Sequence, residues 1–253
     1  MLYIEKNSNS RGANALRNAC HALDSTPDTE ASYDKLDSSV RREVLESLLQ
    51  EQGHVCAYCM RRICLSGHPK AKVGNTAAIE HYIVQNPSEE YRERLPDELK
   101  SYDERAYSID YKNLLAVCPG GSEGATAQCC DKSRTLKSNV NQPLRIDPTN
   151  ETHIKRIEYY TDGRIYSNNP DHNVDLDQLL NLNEPAFSFA QNRLATLQSL
   201  QRKIQDTFSG EISLEQWTKY RNSLVAAEAT EKPPYLGILL WWLDKKIRKA
   251  SRR

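Results

Sequence analysis

The chain has 253 residues, of which 38% are hydrophobic and 27% charged, a composition typical of a folded protein rather than a disordered one. Its 34 basic and 34 acidic residues cancel, so no overall charge attracts it to nucleic acid or to a membrane surface. The longest apolar run, residues 236–243, is too short to span a bilayer, and polar residues interrupt the first eleven positions, where an export signal needs an apolar segment. We therefore expect a soluble, cytoplasmic protein with no membrane association.

The first predicted element is an amphipathic helix over residues 38–52. Its apolar side chains recur at helical spacing, and Gly53 ends the pattern. This helix completes an N-terminal helical lead, residues 1–53, and brings the chain to its first pair of cysteines.

Residues 54–150 carry six of the seven cysteines and are predicted to hold the chemistry. Cys56 and Cys59 enclose two residues, the spacing that lets two thiolates bind one tetrahedral ion. Cys118 ends a strand-like run, and either Cys129 or Cys130 can supply a fourth sulfur after a glycine-rich loop. Without an export signal a reducing compartment is expected, which favours a structural zinc site over disulfides.

Two other interpretations of these cysteines stay open. They could be buried thiols without a metal, or the Cys56–Cys59 pair could be a redox dithiol. The remaining cysteines, Cys20 and Cys64, are expected to be packing residues.

Glu80 and His81 are neighbours in a strand-like run between the two cysteine pairs, and Asp131 lies in the predicted first turn of a short helix. Adjacent side chains of a strand point to opposite faces, so Glu80 and His81 can serve one site only where the strand bends or ends. Carboxylate oxygens prefer Mg²⁺ or Mn²⁺ to zinc. Glu80 and Asp131 therefore predict a second metal of different character. The alternative for His81 is a hydrogen-bonded core histidine.

Two polar stretches of this segment have further expected roles. Residues 86–108, rich in Tyr, Glu and Arg, are predicted to be a surface excursion with one short helix. Arg61, Arg62, Lys70 and Lys72 form a basic stretch without acidic residues, which is either an edge that binds phosphates or a solvated loop.

Residues 151–253 predict a β-hairpin followed by helices. Alternating apolar residues flank an Asp-Gly turn at residues 162–163, which predicts a hairpin within residues 153–167. Helical spacing predicts a long core helix from about residue 190 to residue 208, and two further helices over residues 214–229 and 235–249.

The last of these helices has two distinctive features. Trp241 and Trp242 make both of its faces apolar, so one face either contacts a partner subunit or is buried within this chain. The basic residues at positions 243–253 either contact nucleic acid or complement the dipole at the helix C-terminus.

The order of these motifs resembles that of the HNH endonucleases. The matching elements are Cys56 and Cys59, Glu80 and His81, residues 113–118, and Cys130 with Asp131. The resemblance implies an α+β fold in which a zinc-stapled ββα-metal finger is embedded in a mainly helical protein. Two features depart from the pattern: Asp131 stands where many HNH modules have His or Asn, and Cys118 and Cys130 are widely separated.

The resemblance also implies a role for each matching residue. His81 is implied to be the general base that takes a proton from the attacking water, and Asn113 to fix the loop that orients His81. Glu80 and Asp131 are implied to bind the catalytic Mg²⁺ or Mn²⁺. The structural zinc ligands are implied to be Cys56, Cys59, Cys118 and Cys130.

Residues 179–183, Leu-Leu-Asn-Leu-Asn ahead of the long helix, extend the resemblance to the HNH proteins of Septu and retron anti-phage defence systems, which accompany an ATPase. The implied function is metal-dependent hydrolysis of nucleic-acid phosphodiester bonds, with DNA favoured and RNA possible, by the effector subunit of an oligomeric complex. Two other functions use the same residues: a zinc-knuckle adaptor without catalysis, and a ribonuclease that cuts tRNA.

Overall fold

Helices flank a small cysteine-rich centre in the computed structural model, which describes residues 1–69, 71, 75–100, 103–121, 127–226 and 231–252. The longer helices are α1 (Arg11–Asp24), α2 (Ser38–Gln52), α9 (Phe189–Thr207), α10 (Leu214–Ala226) and α11 (Leu236–Ala250). The shorter ones are α3 (Glu89–Arg94), α4 (Asp97–Lys100), α5 (Glu104–Ile109), α6 (Cys130–Arg134), α7 (Glu151–Ile154) and α8 (Pro170–Val174). The strands are β1 (Ala78–His81), β2 (Leu114–Val117), β3 (Ile157–Tyr159) and β4 (Ile165–Ser167). This mixture of helices and small sheets confirms the predicted α+β class.

The helix predicted over residues 38–52 is confirmed as α2. Val44, Leu48 and Leu49 are buried on its inner face. Gly53 ends the helix with φ at 65°, in the left-handed region that favours glycine. Helix α1 packs against α2, and the Gly12 N–H donates to Ser47 Oγ at 2.8 Å across that contact.

Strands β1 and β2 pair antiparallel, with Glu80 opposite Leu115 and His81 opposite Leu114. All four residues of β2 are buried. The free edge of β2 is completed by the Gln52 side chain, which accepts from the Ala116 N–H at 2.8 Å and donates to the Ala116 carbonyl at 2.7 Å. The C-terminal end of α2 is thereby tied to the strand that precedes Cys118.

The prediction for residues 86–108 was wrong in two respects. The segment holds three short helices, α3, α4 and α5, rather than one. It also contributes to the core, since Tyr91, Leu95 and Tyr107 are each at most 3% exposed. Its apolar side chains are too irregularly spaced among charged residues to form one visible helical stripe, so the sequence pattern concealed their burial.

The hairpin around the Asp-Gly turn is confirmed by the antiparallel pairing of β3 with β4. The prediction began it too early, since Ile154 belongs to α7, whose first turn is capped by the Asn150 side chain. Gly163 in the turn has φ at 85°, and a Cβ there would collide with the backbone of Ala190 in α9. Glycine is therefore needed both for the turn and for docking the hairpin on α9.

The C-terminal helices are confirmed as α9, α10 and α11, although residues 227–229 of the second prediction lie outside the described residues. Trp242 packs edge-on against Trp217, with ring centroids 5.7 Å apart, and Trp241 against Tyr159 at 5.5 Å. These contacts favour burial of both apolar faces within the chain. Within the described part of the chain, no helix is both long and apolar enough to cross a membrane.

Candidate metal centre and adjoining carboxylate pocket

Cys56, Cys59, Cys118 and Cys130 converge, although they come from three separate parts of the chain. Their sulfur atoms all lie within 4.8 Å of one another, and all four residues are buried. Within the group, Cys56 Sγ lies 3.9 Å from Cys130 Sγ, and Cys59 Sγ lies 3.8 Å from Cys118 Sγ. Four thiols so arranged could hold a tetrahedral metal ion such as zinc. This convergence favours a metal site over a redox dithiol at Cys56 and Cys59.

Local backbone geometry brings the four sulfurs together. After α2 the chain turns sharply, with the Cys56 N–H donating to the Arg61 carbonyl at 3.0 Å and the Met60 N–H to the Cys56 carbonyl at 3.1 Å. Cys118 directly follows β2, and Cys130 begins α6. The first pair is thus carried by a turn, while the second pair is carried by the ends of a strand and a helix.

Cys129 is buried beside this group but does not belong to it. The neighbouring thiols of Cys118 and Cys130 lower the pKa of Cys129. Its backbone N–H donates to the Gly120 carbonyl at 2.7 Å, and Gly120 adopts φ of 71°, where a Cβ would collide with the Cys129 carbonyl. Of the two candidates for the fourth ligand, the geometry favours Cys130.

Arg61 lies against the cysteine group and stacks its guanidinium 4.7 Å from the Phe189 ring centroid. Burial opposes its charge, but the negative charge of neighbouring cysteine thiolates, Cys59 and Cys118 foremost, raises the pKa of Arg61. A cation at this place offsets the negative charge of thiolate ligands. The sequence analysis missed this role, for which the only signal is the position of Arg61 two residues after the first cysteine pair.

The predicted basic edge is not a free surface where it is described. Arg62 donates from Nη1 to the Gly53 and His54 carbonyls at 3.0 and 3.2 Å, and Arg61 is stacked on Phe189. Both guanidinium groups make contacts within the chain, and the two interpretations of this stretch, a phosphate-binding edge and a solvated loop, stay predictions. Lys70 and Lys72 lie outside the described residues.

A second set of predicted residues meets at a cavity of about 240 Å³. Glu80, His81, Asp131 and Arg134 all line it. Strand β1 ends at His81, which meets the condition for Glu80 and His81 to serve one site. Asp131 lies in the first turn of α6, as predicted.

Glu80 is 3% exposed, and its two oxygens have different surroundings. Oε1 accepts hydrogen bonds from the Tyr58 hydroxyl, at 3.1 Å, and from Arg134 Nη1. Oε2 is buried and has no hydrogen-bond partner among the described residues. Burial raises the pKa of Glu80, and the positive charge of Arg134 acts in the opposite direction and favours the ionised carboxylate.

Arg134 is a residue of this site to which the sequence analysis gave no role. It is 5% exposed and donates from Nη2 to the Tyr82 carbonyl at 2.8 Å, in addition to its ion pair with Glu80. Arg134 stands three residues after Asp131 in α6, so the helical repeat places both side chains on one face. That spacing was the available signal.

Glu80 and Asp131 both line the cavity, and their carboxylates are the groups there that could hold a hard divalent cation. Within the described chain, Glu80 Oε2 is an unpaired buried oxygen, and the Asp131 carboxylate lines the same cavity. Burial raises the pKa of Asp131, although the positive charges of Arg134 and Lys132 act in the opposite direction. Oxygens without protein donors are the groups that Mg²⁺ or Mn²⁺ would satisfy.

The imidazole of His81 is half-buried and held in one orientation. Its Nε2 lies 3.0 Å from the Ser108 carbonyl oxygen, and its ring meets Tyr33 edge-on at a centroid distance of 4.8 Å. Burial lowers the pKa of His81, which favours the neutral ring. A carbonyl can only accept, so Nε2 carries the proton and Nδ1 keeps its lone pair.

Asn113 lies behind this histidine and is 6% exposed. Its Oδ1 accepts from the Ile83 N–H, and its Nδ2 donates to the Ile83 carbonyl and, at 2.6 Å, to the Tyr107 carbonyl. Tyr107 directly precedes Ser108, whose carbonyl binds His81. The amide therefore joins the chain after β1 to helix α5, whose Ser108 carbonyl orients the imidazole.

The Leu-Asn-Leu-Asn segment connects this centre to the C-terminal helices. The Cys130 N–H donates to the Leu180 carbonyl at 2.9 Å, and Asn181 Nδ2 donates to the Gln128 carbonyl at 2.8 Å. Asn183 Oδ1 accepts from the Ile165 N–H in β4 at 2.9 Å, and Asn183 Nδ2 donates to the Ile165 carbonyl at 2.8 Å. The segment thus braces the second cysteine pair against the hairpin.

Comparison with known proteins does not assign this chain to a family. No protein-family model matches the chain, and no curated protein matches it significantly. Conclusions about function therefore rest on the residues and geometry of the two clusters.

Proposed function

We propose that this protein is a metal-dependent endonuclease of the HNH type, which hydrolyses phosphodiester bonds of nucleic acid. The observation that carries the proposal is the single cavity lined by Glu80, His81 and Asp131, next to a group of four thiols. A neutral imidazole beside two carboxylates is the set of groups that metal-assisted hydrolysis requires.

The order of the surrounding elements supports the ββα-metal interpretation. Antiparallel β1 and β2 are followed by the short helix α6; β1 and α6 supply residues that line the cavity, and Cys118 directly follows β2. Zinc bound by the four thiols would supply on the order of 10 kcal/mol of folding free energy to this small centre. Two four-residue strands bury too little apolar surface to hold the cavity residues in place without such help.

His81 is assigned the role of general base in this mechanism. With Nε2–H bonded to the Ser108 carbonyl, Nδ1 is the atom that takes the proton from the attacking water. Asn113 holds the end of helix α5 that carries Ser108, and so fixes the direction of the lone pair on Nδ1. A divalent ion held by Glu80 and Asp131 would supply electrostatic stabilisation of the charge that develops on the phosphate and the leaving oxygen.

The proposal includes a partner. The resemblance of residues 179–183 to the HNH proteins of Septu and retron systems supports an effector subunit of anti-phage defence, assembled with an ATPase. The zero net charge supports dependence on a partner that delivers nucleic acid, because a nuclease that acts alone usually carries more basic surface. DNA is the favoured substrate, with RNA as the alternative.

Basic residues near the end of α11 are candidates for contact with nucleic acid, although some already have contacts within the chain. Lys245 pairs with Glu158 at 3.3 Å and lies over Trp241, while Lys246 lies over Trp242. Arg248 and Lys249 are exposed near the end of the helix. These positions support a secondary phosphate contact rather than the main binding surface.

The experiment that tests this function is a nicking assay on supercoiled plasmid and on RNA, with Mg²⁺ or Mn²⁺, using the chain alone and co-purified with its co-expressed ATPase. His81→Ala is expected to reduce cleavage at least about 100-fold while circular dichroism remains that of the wild type. His21→Ala, an exposed histidine of α1, is the matched control and should cleave normally.

Each outcome has a definite meaning. An active His81→Ala protein, or one that fails to fold, would refute the assigned role. Cleavage of RNA but not DNA would point to the ribonuclease alternative. A wild-type complex that cleaves neither polymer, yet retains its metal at the thiols, would favour the non-catalytic zinc adaptor.

A further inference from the structure

Tyr58 stands between the two cysteines of the first pair and reaches the second cluster. Its side chain is 1% exposed, and its hydroxyl donates to Glu80 Oε1 at 3.1 Å. Cys56 and Cys59, its neighbours in the turn, are among the four thiols that converge. One side chain therefore joins the proposed zinc turn to a carboxylate of the proposed catalytic cavity.

This contact determines which oxygen of Glu80 is left for another ligand. Tyr58 and Arg134 both donate to Oε1, while Oε2 is buried and accepts from no residue that the structure describes. If Oε1 lost a donor, the carboxylate would be freer to rotate, and Oε2 would be less well fixed at the cavity.

We propose that Tyr58 is a positioning residue that fixes Glu80 so that Oε2 faces a divalent cation in the cavity. The turn that carries Cys56 and Cys59 then has two tasks. It supplies two of the four thiols that stabilise the centre, and it carries the hydroxyl that orients a catalytic carboxylate. This inference rests on the proposed function, because it takes Glu80 to be a ligand of the divalent ion.

Packing alone does not account for the hydroxyl. Phenylalanine would fill the same buried space without requiring a polar partner. Tyr82 provides a matched comparison, because it is also a buried tyrosine of this region, and its hydroxyl donates to the Leu144 backbone carbonyl at 2.9 Å rather than to a carboxylate.

The test measures Mn²⁺ binding to the zinc-loaded full chain by electron paramagnetic resonance, for wild type, Tyr58→Phe, Tyr82→Phe and Glu80→Gln. Tyr58→Phe is expected to keep its zinc and its fold, and to bind Mn²⁺ roughly ten-fold more weakly, the effect of one hydrogen bond to a charged group. Tyr82→Phe should stay within about two-fold of wild type, because its hydrogen bond does not reach the cavity carboxylates.

Activity provides a second readout. In the nicking assay, Tyr58→Phe should need more Mn²⁺ for half-maximal cleavage but approach the wild-type rate when Mn²⁺ is saturating. A residue with only a structural role would lower the rate at every metal concentration or affect zinc retention.

The failure of this inference is distinguishable from failure of the function. If Glu80→Gln abolishes Mn²⁺ binding while Tyr58→Phe binds as wild type does, the positioning role is wrong and the function stands. If wild type and Glu80→Gln bind Mn²⁺ equally, Glu80 is not a ligand of the divalent ion. In that case the positioning role of Tyr58 and the proposed metal-dependent mechanism are both wrong.

Discussion

Asn113 and Ile83 form a reciprocal pair of hydrogen bonds. The Ile83 N–H donates to Asn113 Oδ1 at 2.8 Å, and Asn113 Nδ2 donates to the Ile83 carbonyl oxygen at 2.8 Å. A third bond, from Nδ2 to the Tyr107 carbonyl, links this pair to helix α5, whose Ser108 carbonyl holds His81. One buried amide thus connects the chain on both sides of the imidazole.

Asn113→Leu should therefore lower the free energy of unfolding by about 2 to 5 kcal/mol, because the buried backbone groups it serves lose their partners. Urea unfolding followed by circular dichroism measures this change. Asn168→Leu, at an exposed position, is the control and should shift stability by less than about 0.5 kcal/mol. Equal stability of the two variants would contradict the bracing role of Asn113.

The four-thiol group should retain one zinc ion per chain during purification. Cys118→Ser is expected to lose the metal, whereas Cys129→Ser and Cys64→Ser should retain it, since neither of these residues belongs to the converging group. Elemental analysis of the purified proteins gives the stoichiometry. Loss of zinc in Cys129→Ser with retention in Cys130→Ser would reverse the assignment of the fourth ligand.

Glu80 and Arg134 form a buried ion pair, with side chains 2% and 5% exposed. Removing the cation alone, in Arg134→Met, leaves an uncompensated buried carboxylate and should cost about 3 to 5 kcal/mol of stability. The double variant Glu80→Gln with Arg134→Met should recover most of that loss, because neither charge remains. A double-mutant cycle from denaturant unfolding checks this, and strictly additive losses would argue against a coupled pair.

His172 should make stability depend on pH. It is 2% exposed, and burial, with lesser contributions from His153 and Arg156, lowers its pKa from 6.5 to about 4. Between these values the unfolded state binds more protons, so the free energy of unfolding falls as pH decreases from 6.5 to 4, by up to about 3 kcal/mol. The same titration on His172→Gln should show a shallower fall over this interval. An identical slope in both proteins would show that other groups set the dependence.

Two glycines with positive φ allow the cost of backbone strain to be distinguished from the cost of a steric collision. Gly163 has φ of 85° and lies against the Ala190 backbone, whereas Gly210 has φ of 96° and leaves open space where a Cβ would stand, with no described atom beyond its chain neighbours within 4 Å. Gly210→Ala should therefore cost only about 1 to 2 kcal/mol, the strain of the left-handed region. Gly163→Ala should cost more, because the hairpin must also move away from α9. Thermal unfolding of both variants measures these losses of stability. A larger loss in Gly210→Ala than in Gly163→Ala would refute this account.

Local patterns were enough to predict much of the framework. The helix ending at Gly53, the hairpin around Gly163 and the helix α9 follow from residue spacing and turn chemistry within short segments. The cysteine pattern also predicted a group of thiols, because the spacing within Cys56 and Cys59 restricts how their sulfurs can point. Ile154 was misplaced because its apolar character suits a short helix as well as a strand.

Other features depend on contacts between distant parts of the chain. No spacing rule pairs Glu80 with Arg134 across 54 residues. None places Arg61 on the ring of Phe189 either. The burial of Tyr91 and Tyr107 depends on the elements packed over them. The sequence by itself determined the local elements and the kinds of donor atoms, because short-range sterics and side-chain chemistry suffice for those. Only the tertiary structure decided which oxygen of Glu80 stays unpaired within the described chain and which atom of His81 is free, because both follow from long-range packing and hydrogen bonding.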